Sequence, residues 1–205
     1  MITMETTMKS ISINLLLAST LSLSPFIAIA EDKVPSQDIN EARSLVKAFG
    51  SDLKAVLKGS MKTDGPLKAL EVCNIQAGPI ADKKSALSDW DIARTSLKVR
   101  NQSNAPDEWE LGVLQQFEKR KTSGEALKTM EYSEMVKDGD KLVYRYMKPI
   151  PTAGLCLTCH GANLSDEVTH KVKSLYPNDQ ATGFSVGDIR GAFTLQKIIN
   201  EGHRK

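Results

Sequence analysis

Aromatic residues are scarce in this chain of 205 residues, at 5% of the total. Cysteine is scarcer still: there are three, an odd number. Charge of one sign is missing too. Lys and Arg number 27 against 25 Asp and Glu, a formal net charge of +2. Each shortage excludes something. Few aromatics leave little bulk for a core made of side chains alone. Three thiols cannot all pair within the chain. A near-neutral balance provides no basic footprint for nucleic acid, so no such partner is expected. The 40% apolar and 25% charged fractions exclude a disordered chain and fit one globular domain or at most two.

Long apolar runs are also absent after the first thirty residues. Lys9 provides a positive start there, and Ile13 to Ile29 is mostly apolar but broken by Ser19, Ser22, Ser24 and Pro25. Ala28-Ile29-Ala30 is a small-x-small cleavage pattern. A spanning helix wants about 20 apolar residues without such breaks. Residues 1–30 therefore read as a cleaved export signal, and residues 31–205 as a single domain. No Cys follows the apolar run to carry a lipid, and no stable membrane anchor remains after cleavage. The expected location is outside the cytoplasm, periplasmic or lumenal.

The mature chain begins with helical patterns. Ile39, Ala42, Leu45, Val46, Phe49, Leu53, Val56 and Leu57 recur at three- and four-residue steps, which predicts a helix over about 36–58. Ser36 is its expected N-cap and Gly59 its expected stop. A second helix is expected after Asp64-Gly65-Pro66, with Leu67, Leu70, Cys73, Ala77 and Ile80 on one stripe and a kink or end near Pro79. Residues 91–100 alternate weakly, as a strand does. Asp107 opens a third helix with Trp109, Leu111, Leu114 and Phe117. Residues 127–137 and 141–149 flank Asp138-Gly139, a hairpin signal. A last strand is expected over 187–198, and an irregular insert over 150–186. Helices first and antiparallel strands later define an α+β domain.

The chemistry lies in that insert. Cys156-Leu157-Thr158-Cys159-His160 is the C-x-x-C-H pattern of covalent c-type haem attachment. Two thiols at this spacing reach the two vinyl groups of one porphyrin, and the adjacent His ligates the iron. A zinc site would need a second ligand pair, and only Cys73, His170 and His203 remain. A thioredoxin-like pair would sit at a helix start after a strand, whereas this motif lies between Gly154 and Gly161 and reads as a loop. One covalent haem c also answers the aromatic shortage, because a buried porphyrin is itself core.

The sixth ligand is less legible. Cys73 lies on the apolar stripe of the second helix, and by spacing alone an inert buried cysteine is the commoner outcome. Thiolate ligation is the alternative. Met61, Met130, Met135, Met147, His170 and His203 are further candidates. The methionines read as core, and the two histidines as exposed. Among polar residues in strand segments, Arg100 and Arg190 are the candidates for pairing with haem propionates, since an arginine fork matches a carboxylate. Arg94, Tyr144, Arg145 and Asp188 are weaker ones. Trp109 and Phe184 are candidates for packing on the porphyrin.

Several stretches together resemble the Tll-like family of exported monohaem c-type proteins with a PAS-like fold. They are Glu71-Val72-Cys73-Asn74 through Ala81, Arg94-Thr95-Ser96 through Arg100-Asn101, Asn104 to Glu110, Pro149-Ile150 with Cys156 to Gly161, and Tyr176-Pro177 through Phe184 to Ala192. The family pattern has Pro after the Arg-Asn pair, where this chain has Gln102. The resemblance implies a PAS-like antiparallel sheet with N-terminal helices and a haem-binding insert. It implies His160 and Cys73 as the two axial ligands, reversing the preference from spacing alone. Both axial sites are then filled, so no enzyme is expected. The expected role is redox or small-molecule sensing with a redox or signalling protein as partner; a periplasmic electron carrier is the alternative.

Overall fold

The computed structural model describes residues 35–199, within one compact unit, Asp32–Lys205. The expected export signal and His203 lie outside the described residues. No helix among the described residues is long and apolar enough to cross a membrane.

Two long helices come first, α1 (Ser36–Thr63) and α2 (Gly65–Ser85). Both outrun their sequence signals. The N-cap of α1 is Pro35, not Ser36, and the helix runs through Gly59 to the Asp64-Gly65 junction. Helix α2 runs through Pro79 without ending. Packing explains the second departure: Ile80 and Ala81, just beyond the proline, join a core with Ala42, Val46 and Phe49 of α1. That burial offsets the lost backbone bond.

Strand β1 (Asp91–Thr95) is half as long as the alternation suggested. It stops because Ser96 turns the chain. The Ser96 hydroxyl donates to the Arg190 carbonyl at 2.8 Å and accepts from the Lys98 amide at 3.2 Å. Helix α3 (Glu108–Thr122) starts at Asp107 as expected, with a capping box formed by Asp107 and Glu110. Hairpin strands β2 (Tyr132–Asp138) and β3 (Lys141–Pro151) pair across Asp138 and Lys141, with Gly139-Asp140 as the turn. Residues 127–131, expected as strand, instead carry turn hydrogen bonds from Thr129 and Met130 to the Ala126 carbonyl. Strand β4 (Ile189–Ile199) completes an antiparallel sheet in the order β1-β4-β3-β2.

Alternation on β3 sends neighbours to opposite faces. Tyr144 and Tyr146 face the α1 side with Trp90, Ile92 and Leu195. Met147 faces α3, where Val113, Leu114, Phe117 and Met130 pack. The fold is α+β, as the order of elements indicated.

Candidate functional site

The insert between β3 and β4 is more regular than expected. A 3-10 turn, Gly154–Cys156, leads into a single helical turn, α4 (Leu157–His160), so the cysteine motif is helical and not a loop. A further helix, α5 (Asp166–Leu175), follows. Its signals were present in the sequence: Ser165 caps the Val168 amide, two acids fill the first turn, and Val168 and Val172 bury one face. That face packs on Leu70 of α2, with Cys159 at its border. Helix α2 is thereby held beside the motif.

The motif is also gripped by the chain that returns toward β4. The Phe184 amide donates to the His160 carbonyl at 2.9 Å, and the Gly183 amide to the Gly161 carbonyl at 3.0 Å. Phe184 stands edge-on to the His160 ring, with centroids 6.2 Å apart. Trp109, the other aromatic candidate, lies elsewhere, against Tyr132 and under the Arg145 guanidinium.

His160 is the best-defined member. Its Nδ1 lies 2.7 Å from the Ala181 carbonyl oxygen. A carbonyl only accepts, so Nδ1 carries the proton and Nε2 keeps its lone pair. Burial, with the nearby Arg190 and Arg100 cations, drops the imidazole pKa to about 2. The ring is a neutral nitrogen donor with its orientation set by the backbone, which is how ligating histidines are held. Arg190 Nε lies 3.2 Å from Nδ1 and 3.3 Å from Nε2.

All three cysteines are free thiols. Burial pushes the Cys73 thiol above its ordinary range, while Arg94 and Arg100 pull it back. Burial likewise raises Cys159, which feels the Cys73 charge. Cys73 thus shares one neighbourhood with the motif although 83 residues separate it from Cys156. His170 is exposed on α5, whereas Met130 and Met147 are fully buried in the α3 core.

Arg100 is held tightly. Its Nε and Nη2 donate to the Asp179 carboxylate at 2.9 and 3.1 Å, and both side chains are 8% exposed. Nη2 also donates to the Cys159 carbonyl at 2.7 Å and the Ala181 carbonyl at 3.1 Å. This candidate propionate partner is therefore already committed to the backbone on both sides of His160. Arg190 has Nη1 3.2 Å from the Ser96 hydroxyl. Burial, with Arg100 and Arg94 nearby, lowers its pKa to about 10. Asp179, Ala181 and Ser96 were not singled out from sequence. Nothing local marks them, since their partners are 79, 21 and 94 residues away.

Two thiols and a histidine with an unprotonated Nε2 within five residues, with a third thiol and three arginines in their electrostatic neighbourhood, are a donor set that fits a c-type haem. The chain belongs to the Tll0287-like family, which it matches over residues 8–197. In three dimensions it is similar to the crystal structure of the cyanobacterial heme-protein Tll0287. The TM-score is 0.59 at 23% sequence identity, covering 79% of this chain and 95% of that one. No curated protein matches the chain.

Proposed function

We propose that this protein is an exported monohaem c-type protein, with thioether bonds from Cys156 and Cys159 and axial ligation by His160 and Cys73. The observation that carries the reading is the Nδ1–H bond from His160 to Ala181. It leaves Nε2 unprotonated on the histidine that directly follows the two thiols the spacing reserves for a porphyrin. Family membership supports it, as does the similarity in fold to the cyanobacterial heme-protein Tll0287.

A bound haem would supply one-electron redox chemistry. The chain's own residues supply the rest. Ala181 fixes the imidazole, Arg100 and Asp179 hold the motif's backbone, and Cys73 on α2 offers the second axial donor. Thiolate donation favours a low potential. With both axial sites occupied by protein, the reading is redox or small-molecule sensing in the periplasm, with a separate protein receiving the signal, and no catalysis. Simple electron transfer is the second reading, favoured by the closed coordination and the small size of the domain.

The test is the absorption and EPR spectrum of the exported protein, wild type against Cys73→Ala. A covalent haem, with a low-spin thiolate signal that vanishes in the variant, is expected. Identical spectra overturn the Cys73 assignment, and protein without covalent haem overturns the whole reading. Loss of the thiolate signal on reduction favours sensing; rapid reversible exchange with a periplasmic cytochrome favours the carrier.

A further inference from the structure

Three guanidinium groups attend His160: Arg190 lies against its ring, Arg100 donates to the neighbouring Cys159 carbonyl, and Arg94 is close enough to act on both His160 and Cys73. Among the described residues one carboxylate answers them, and it is committed: Asp179 is bound by Arg100. Three cations against one anion leave two positive charges in excess in a partly buried place. Such charge is costly unless paired. Arg94 is the most conspicuous case. Among the described residues it makes no hydrogen bond and no ion pair, and its neighbours are the Phe49 ring at 5.9 Å, the Cys73 thiol and Tyr176. Its place is set by β1, where it pairs in register with Phe193 of β4.

Arg190 is the second. Its Nη1 is held by the Ser96 hydroxyl at 3.2 Å and the Lys98 carbonyl at 3.3 Å, and its Nε lies along the His160 ring edge, 3.2 Å from Nδ1 and 3.3 Å from Nε2, of which only the unprotonated Nε2 can accept. Nε2 has one lone pair, so it cannot serve a metal and Arg190 together. Ligation frees that donor for another acceptor.

We propose that Arg94 and Arg190, and not Arg100, are the anchors of the two haem propionates. The excess of two positive charges equals the charge of two carboxylates, and each guanidinium can present a fork to one of them. Arg100 instead serves as a positioning residue that braces the backbone around His160. This assignment rests on the haem reading above.

The test uses the exported holoprotein. Arg94→Gln and Arg190→Gln are compared with wild type, with Arg43→Gln as a distant control. Two quantities are read: the midpoint potential, and the propionate bending band in the resonance Raman spectrum. Each glutamine variant is expected to lower the midpoint by at least about 59 mV, a tenfold change for a one-electron couple, and to move the band. Arg43→Gln should do neither. Arg94→Lys keeps the charge and loses the fork, so its band should move with less change in potential; it serves if Arg94→Gln does not accumulate. Haem-loaded variants whose band stays in place overturn the assignment whatever their potential. So does a glutamine variant whose midpoint falls by less than about 59 mV. Wild-type protein without haem overturns the underlying reading instead, and the two failures are distinguishable.

Discussion

His160 Nδ1 and the Ala181 carbonyl oxygen, 2.7 Å apart, join the end of the C-x-x-C-H motif to a segment 21 residues further on. The bond settles which ring nitrogen carries the proton. It also makes the imidazole's orientation depend on the segment that Arg100 and Asp179 hold in place. The Ala181 carbonyl accepts from both His160 and Arg100, and the Ala181 amide donates to Asp179 Oδ1 at 3.0 Å.

That bracing predicts a large effect at Asp179. Asp179→Asn removes the counter-charge of a buried guanidinium. Breaking a buried pair from one side costs about 3–5 kcal/mol. The urea midpoint should fall accordingly, and exchange of the Phe184 and Gly183 amides that grip the motif should accelerate. An unchanged midpoint with unchanged exchange would contradict the bracing role.

Gly161 is where the motif's backbone passes closest to itself. A Cβ there would lie 2.6 Å from the Leu157 carbonyl oxygen and 3.3 Å from Leu157 Cβ. The Gly161 amide closes α4 by donating to that same oxygen at 2.9 Å. Gly161→Ala should therefore open the turn and cost about 1–3 kcal/mol. It should also lower the haem content per chain, checked by thermal unfolding and a pyridine haemochrome assay. A variant as stable and as well loaded as wild type would show that the turn tolerates the shift.

Acid should weaken the attachment of α1 to the sheet. The Arg43 guanidinium and the Tyr146 hydroxyl hold the Glu131 carboxyl below the usual glutamate range. A depressed folded pKa means that the carboxylate adds stability above the unfolded value, about 4.3. That stability is lost as pH falls through the lower folded value. Wild type should lose stability between about pH 6 and about pH 3 more steeply than Glu131→Gln, which has no proton to take up. Parallel urea midpoints across that range would refute the contribution.

Elements with a local cause were legible. The Asp107 capping box, the Asp138-Gly139 hairpin and the three-to-four-residue stripe of α1 are each decided within a few residues. Misjudged boundaries follow from distant contacts. Burial of Ile80 and Ala81 against α1 carries α2 past Pro79, and the Ser96 bond to Arg190 ends β1 early. Helix α5 is different: its cap and apolar pair were local, and its short polar sequence hid them.

The sequence by itself determined the chemistry of the candidate site. Spacing alone makes Cys156, Cys159 and His160 the candidates for haem attachment, because five consecutive residues are a local arrangement. An odd cysteine count left Cys73 without a partner in the chain. Only the tertiary structure decided which groups attend that motif. It brought Cys73 into its neighbourhood, gave Arg100 to Asp179, and left Arg94 without a carboxylate partner among the described residues. The physical reason is that an ion pair or a buried unpaired charge depends on which side chains meet across tens of residues. Periodicity and spacing carry no record of those meetings.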